Sequence, residues 1–213
     1  MIEDEEKRPA GLWKPMLLGA IAFVASQVLL RLPLIQYVLP RSAWYVLFTS
    51  QHYLLYCVFL GVTAGLFEET ARYLMVRCFL KNNRRFSDAI AFGLGHGGIE
   101  AVILLASVLA AGAAVSPWAY VERILAMTMH VGMTVIVFAG FQKGSELAYL
   151  AAAIGVHALV DSLCGILPAF GAGILVMEAV LAAFALCLLI YIFWAKKNIL
   201  WQLKGAFKNE KIS

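Results

Sequence analysis

Residues 171–194 read GAGILVMEAVLAAFALCLLIYIFW, an apolar run in which the only charged residue is Glu178. A helix rises about 1.5 Å per residue, so this run is long enough to cross a hydrocarbon core of roughly 30 Å. A surface helix of a soluble protein would instead carry charged residues along one face. The stretch therefore predicts a membrane-spanning helix.

Five more apolar runs precede it: Pro15–Leu39, Trp44–Leu80, Ser87–Ala113, Trp118–Gly140 and Glu146–Leu167. The run Trp44–Leu80 is too long for one span unless it is tilted, broken or begins in the headgroup layer. The composition is 62% hydrophobic and 14% charged with a mean hydropathy of +0.83, which excludes a water-soluble globule. We predict an all-α, polytopic transmembrane bundle of six spans.

The basic residues predict how this bundle is oriented. With six spans and a cytoplasmic N-terminus, 13 of the 17 lysines and arginines fall on the cytoplasmic side, as the positive-inside rule requires. Arg31, Arg41 and Arg123 fall outside, and Arg72 lies within the membrane. We therefore expect both termini in the cytoplasm. The predicted parts are a cytoplasmic N-terminal segment 1–14, a transmembrane domain 15–194 and a basic interfacial tail 195–213.

Charge and cysteine content exclude several kinds of partner. Because nearly all lysines and arginines flank apolar runs, the net charge of +4 indicates membrane topology and predicts no nucleic-acid partner. The four cysteines lie inside apolar runs without CxxC spacing, which argues against disulfides or a thiolate metal site. The predicted environment is the lipid bilayer of a cell membrane.

Ionisable side chains inside the spans are the candidates for function, because burying them costs several kcal/mol unless they are paired or hydrated. Glu68, His96, His130 and His157 each lie about 14–18 Å from the predicted cytoplasmic ends of four different helices. Residues four apart share a helix face. That spacing pairs Glu68 with Arg72, His96 with Glu100, and His157 with Asp161. The full candidate set is Glu68, Glu69, Arg72, His96, Glu100, His130, His157 and Asp161.

Other polar residues are interpreted as structural. Glu122 with Arg123 is expected to be a solvated pair at the outer mouth of the fourth span, and Glu178 an interfacial residue. His52 sits beside Tyr53 and Tyr56 and is expected at the outer interface.

A carboxylate with several imidazoles in a dry site can activate water. Glu68 can serve as the general base, and His157 can donate to the oxyanion that develops on an attacked carbonyl, so amide hydrolysis fits. The chain has no G-x-S-x-G, intramembrane G-x-G-D or H-E-x-x-H motif. No cofactor is expected, but zinc stays open, and His96, His130 and His157 would be its main ligands.

Three motifs resemble a known family. The runs AGLFEETARYL (64–74), AFGLGHGGIEA (91–101) and HALVD (157–161), together with His130, resemble the YhfC family of intramembrane peptidases. That family is described as related to CAAX-type, bacteriocin-processing and PrsW-type membrane proteases, whose motifs are E-E-x-x-x-R, F-x-x-x-H and H-x-x-x-N. The resemblance implies that Glu68 and His96 activate water, and that His157 with Asp161 forms the oxyanion side.

Two positions depart from the wider pattern. Arg72 comes one residue early, and Asp161 stands where those families have asparagine. An ionised aspartate repels an oxyanion, so Asp161 has to be protonated or to orient His157.

The leading hypothesis is a glutamic-type intramembrane protease that cuts a membrane-embedded or juxtamembrane substrate from the cytoplasmic half of a bacterial plasma membrane. The alternatives are a zinc metalloprotease, a proton- or ion-coupled transporter, and a non-catalytic immunity or assembly factor.

Overall fold

The computed structural model describes residues 11–199 and 201. Every element of secondary structure within them is a helix. Seven helices follow one another: α1 Trp13–Arg41, α2 Ala43–Gln51, α3 Tyr53–Phe79, α4 Phe86–Ala110, α5 Pro117–Lys143, α6 Glu146–Ala169 and α7 Ile174–Asn198. All except α2 are long and apolar enough to cross a membrane, which confirms the prediction of six spans. The protein is a multi-pass membrane protein.

The first span, α1, is not a uniform α-helix. It is α-helical over Trp13–Phe23, π-helical over Val24–Arg31 and Leu34–Val38, and ends in a 3₁₀ turn at Leu39–Arg41. π-helical turns are rare and concentrate at functional sites, since the wider turn re-aims side chains. Here the π-helical stretch carries Gln27 and Arg31 into the interior of the bundle.

The long second apolar run is broken. His52 adopts φ −127° and ψ 57°, which are not helical values, and it separates the short helix α2 from the spanning helix α3. The two are joined by aromatic contacts, among them Tyr45 against Tyr56 and Phe48 against Phe59. Of the three ways in which Trp44–Leu80 could be accommodated, the break is the one observed.

Six alternating spans give the bundle two ends. The basic end, as we call it, carries the helix termini Trp13, Phe79, Phe86, Lys143, Glu146 and Asn198. The far end carries Arg41, Tyr53, Ala110, Pro117, Ala169 and Ile174. Trp13 and Asn198 thus share one end, as predicted. Lysines and arginines predict that the basic end faces the cytoplasm.

The two halves of the bundle are packed differently. In the central helix α5, every residue from Met129 to Phe141, on the basic side, is buried, whereas none from Pro117 to Thr128 is. Rings fill the basic half, with Phe92 against Phe138 at 6.2 Å and Tyr73 stacked on Phe141 at 5.4 Å between centroids. The core of the protein therefore lies between the site and the basic end.

Glycines let two helices touch through their backbones. A Cβ atom built on Gly95 of α4 would lie 1.9 Å from the carbonyl oxygen of Met16, and one on Gly19 of α1 would lie 2.1 Å from that of Phe92. Real Cβ atoms do not come so close, so only glycine permits this crossing. The crossing holds α4 against α1 beside His96.

Candidate active site

The predicted polar residues meet near the midpoints of four spans. Glu68 lies near the middle of α3, His96 in α4, His130 at the middle of α5 and His157 near the middle of α6. All four side chains are at most 5% exposed. Because the helices cross the same layer, residues at matched depth on separate helices come into contact, and all eight candidates belong to one connected network.

Glu68 lies at the centre of this network. Its Oε2 accepts a hydrogen bond from Nε2 of His96 at 2.9 Å, and its Oε1 accepts one from the side-chain amide of Gln27. The orientation of the amide follows from its second contact. Its Oε1 accepts a hydrogen bond from the Arg31 guanidinium at 2.9 Å, and a guanidinium can only donate. Gln27 is therefore held with its NH₂ group towards Glu68.

Arg31 is itself anchored. It donates to the Leu60 carbonyl oxygen at 2.7 Å and to the Thr63 hydroxyl at 3.1 Å. Its side chain is 9% exposed within α1. The expectation that Arg31 lies outside the membrane is wrong, because it forms part of the buried layer around the site.

Glu69 and Arg72 form a second pair that orients two imidazoles. Arg72 is fully buried and contacts the Glu69 carboxylate, as predicted. Glu69 accepts a hydrogen bond from Nδ1 of His157 at 2.8 Å, and Arg72 donates to Nδ1 of His130 at 3.2 Å. Because a guanidinium can only donate, Nδ1 of His130 is an acceptor and Nε2 of that ring carries the proton, whereas Nδ1 of His157 is a donor and leaves the Nε2 of His157 facing the centre of the site.

Glu100 and Arg123 form a further pair at the site. Arg123 donates to Oε1 of Glu100 at 2.7 Å and to Glu122 at 2.5 Å, and its side chain is 14% exposed. The expected pair of Arg123 with Glu122 is present, and Glu122 is 41% exposed, but the contact with Glu100 makes Arg123 part of the site, which the interpretation as a purely structural pair missed. Oε2 of Glu100 lies 2.5 Å from Nε2 of His130, which joins this side of the site to the imidazoles.

A cavity of about 240 Å³ opens beside these groups. Its polar lining consists of Glu68, Glu100, Glu122, Arg123, His130, His157 and Asp161. The Asp161 side chain is 42% exposed, and its carboxylate lies 3.7 Å from Nε2 of His157. The cavity extends into the far half of the bundle, since Leu104, Glu122 and Cys164 belong to the far halves of their helices. This differs from the expected access from the cytoplasmic half, if the basic end faces the cytoplasm as the positive-inside rule predicts.

The donor set fits a metal ion. One ligand atom each from Glu68, His96 and His130 lies within 4.8 Å of the others, and all three residues are buried. Oxygen and imidazole nitrogen are ligands that zinc accepts. The carboxylate of Glu100, 2.5 Å from Nε2 of His130, places a further acid beside this set. The group differs from the predicted ligands, because Glu68 takes the place of His157 in it.

Sequence reasoning missed Gln27 and Arg31 as well as Arg123. A signal for the first two was present, because Gln27 and Arg31 are four residues apart inside an apolar run, the same spacing that marked His96 with Glu100. Arg123 could have been found by noting that α4 and α5 are adjacent and antiparallel, which brings it level with Glu100. The catalytic roles assigned to the eight candidate residues stay predictions.

Comparisons with known proteins identify a family. A family model described as YhfC intramembrane metalloprotease matches residues 6–119 and 109–186. The "Uncharacterized membrane protein YhfC" of Bacillus subtilis (strain 168) is 48% identical over 54 residues, which are 25% of this chain and 21% of that protein. The chain thus aligns with about a fifth of that curated relative. No solved structure matches.

The wider relationship to CAAX-type and PrsW-type proteases stays a prediction, whereas the family itself is established by a match over most of the chain. This protein belongs to the YhfC family of membrane proteins, whose model is described as an intramembrane metalloprotease.

Proposed function

We propose that this protein is a metal-dependent intramembrane peptidase that hydrolyses a peptide bond of a membrane-embedded or juxtamembrane substrate. The observation that carries the proposal is the buried set Glu68, His96 and His130, whose ligand atoms lie within 4.8 Å of one another beside a cavity of about 240 Å³. The description of the family as metalloproteases supports the same chemistry.

In this proposal Glu68, His96 and His130 hold a zinc ion. When bound, zinc acts as a Lewis acid that polarises a carbonyl group and makes water a better nucleophile. Gln27 keeps Glu68 in position through the hydrogen bond described above, and His130 would exchange its contact with Arg72 for the metal if it binds through Nδ1. The expectation of a metal-free site becomes the second choice.

The remaining residues move protons. Asp161 faces the cavity with the most exposed carboxylate among the candidates and accepts a proton from the attacking water. His157, fixed through Nδ1 by Glu69, directs Nε2 towards Glu68 and Asp161 at 3.8 and 3.7 Å. A proton on that nitrogen gives a donor for the oxyanion that forms on the substrate carbonyl. This role matches the one expected for His157 from the sequence.

A metal-free glutamic mechanism is the second candidate. It is favoured by the 2.9 Å hydrogen bond between Glu68 and His96, because the imidazole can orient Glu68 as a general base without any metal. In that mechanism Glu68 takes the proton from water, and His130 is a bystander that packs at 4.8 Å from the His96 ring.

Elemental analysis of purified variants separates the two mechanisms. The metal-dependent mechanism predicts about one zinc per chain, lost in Glu68→Gln, His96→Ala and His130→Ala but retained in Asp161→Asn, which nevertheless fails to cut a panel of tagged membrane substrates. His52→Ala is the control, because His52 lies at the break between α2 and α3. A zinc-free wild-type protein that is active in chelator, and in which His130→Ala is nearly harmless, would instead establish the glutamic mechanism.

The structure gives little support to the transporter alternative. Alternating access needs a polar path that can open to both ends, and the described part of the basic half is filled by the rings of Phe92, Phe138, Tyr73 and Phe141.

A further inference from the structure

The site is sealed towards the basic end. Directly below it lie Phe92, Val135, Phe138, Ala139 and Ala153, and each of these side chains is completely buried. Interiors packed in this way leave no room for a chain of water molecules. A polar substrate segment entering from this side would have to separate several helices.

Towards the far end α4 and α5 are packed less closely. In α5 no residue from Pro117 to Thr128 is buried. In α4, between Gly98 and Ala110, only Ala101 is buried. The cavity occupies this region, with Leu104 and Ala126 on one side and Cys164 and Leu181 on the other. Glu122 and Arg123 line it as well, as an ion pair in which the Glu122 side chain is 41% exposed, so the far part of the cavity has a polar wall.

We propose that water and the substrate chain reach the site from the far face of the bundle, the side opposite Trp13 and Asn198. The positive-inside rule places that face outside the cytoplasm. Combined with the peptidase activity proposed above, on which this part rests, the access route specifies the substrate class. The substrates are membrane proteins whose scissile segment lies in the non-cytoplasmic half of the bilayer or just beyond it.

Native cysteines allow a direct test of the route. Cys164 lines the cavity, whereas Cys78 is exposed at the basic end beside Lys81 and Arg84. Two variants each keep one of these cysteines and carry alanine at the other three positions. A third variant lacks all four and carries Ala126→Cys, a second position on the cavity wall. Each is exposed to a charged, membrane-impermeant methanethiosulfonate in right-side-out and in inside-out vesicles.

We expect Cys164 and Ala126→Cys to react at least about tenfold faster in right-side-out vesicles, and Cys78 in inside-out vesicles, because a charged reagent does not cross the bilayer. Leu159→Cys in the cysteine-free protein is the matched control. It lies on α6 between His157 and Asp161 but is 51% exposed on the outer surface of the bundle and absent from the cavity wall. It should resist the reagent from both sides.

Labelling of the cavity positions only from the side that labels Cys78, or from neither side, would overturn the proposal. Combining Glu68→Gln with each reporter keeps the test independent of catalysis, because the inactive protein should be labelled in the same way. In a second assay, single-span substrates carry a helix-breaking segment in one half of the membrane or the other. Cutting confined to the far half supports the route, and cutting confined to the basic half contradicts it. A protein that labels as expected but cuts no substrate would count against the peptidase, not against the route.

Discussion

The side-chain amide of Gln27 donates a hydrogen bond to Oε1 of Glu68, and through it the π-helical part of α1 is tied to the central acid of the site. The amide is held from behind by Arg31 at 2.9 Å. The other oxygen of Glu68, Oε2, accepts a hydrogen bond from His96. Each oxygen of the carboxylate is therefore held by a hydrogen-bond donor.

Gln27→Ala should therefore lower activity by about 10- to 100-fold, the usual effect of removing a residue that orients a metal ligand. The measurement is zinc affinity and substrate cleavage side by side, and both should fall. Ser26→Ala is the control, because the Ser26 hydroxyl is bonded only to carbonyl oxygens of its own helix. Unchanged zinc affinity in Gln27→Ala would show that the amide does not position Glu68.

Arg72→Ala should destabilise the protein by about 3–5 kcal/mol, because it leaves the Glu69 carboxylate buried without its cation. Thermal unfolding in detergent and the yield of folded protein measure the loss. The double variant Glu69→Gln with Arg72→Met should recover most of the stability, since no charge is then left unpaired. It should stay inactive, because His157 and His130 have both lost a hydrogen-bond partner. A fully stable Arg72→Ala protein would contradict the pairing.

Two glycines of the same helix should respond in opposite ways to alanine. Gly95→Ala places a methyl group 1.9 Å from the carbonyl oxygen of Met16 and should cost at least about 1–3 kcal/mol as α1 is displaced. Gly98→Ala meets no atom within 4 Å and should be neutral or stabilising by up to about 1 kcal/mol, the difference in helix propensity. Melting temperatures of the two variants give the comparison, and equal values would argue against the close crossing of α1 and α4.

The charge of the cavity should discriminate between reagents. Four carboxylates line it, from Glu68, Glu100, Glu122 and Asp161, against one guanidinium, from Arg123. A cationic methanethiosulfonate should therefore label Cys164 several-fold faster than an anionic one of similar size. Glu122→Gln should reduce the ratio without changing the slow labelling of the control Leu159→Cys. Equal rates for both reagents in the wild-type cavity would mean that neighbouring positive charges neutralise the negative charge of these carboxylates.

The six spans and the residues of the central layer could be predicted because both depend on local properties of the chain. Hydrophobic length specifies a span, and an ionisable residue at the middle of a span is conspicuous because its burial is costly. Matched depth then brings Glu68, His96, His130 and His157 together whatever the details of packing.

The neighbours of the site could not be predicted in the same way. Whether Arg123 contacts Glu100 or only Glu122 depends on how α4 and α5 pack, and the counting of residues along one helix contains no information about that. The direction in which the cavity extends depends on where the close packing of side chains ends. That position is determined jointly by the five helices that line the cavity. The place of Arg31 was obscured by the positive-inside count, because a buried arginine satisfied by Gln27, Leu60 and Thr63 looks, in the sequence, like an arginine at a membrane boundary.

The backbone contact between α1 and α4 has a mechanical consequence. A joint in which Gly19 and Gly95 meet carbonyl oxygens contains no side-chain rotamers that could rearrange, so the two helices can shift only as one body. On the other side of the cavity α7 packs only lightly against α6, whereas α6 is held to α3 by a similar crossing, in which a Cβ atom on Gly61 would lie 2.4 Å from the Ala158 carbonyl oxygen. Expansion of the cavity around a polypeptide is therefore expected at the seam between α6 and α7, while α1 and α4 keep Gln27 and His96 in place throughout a turnover.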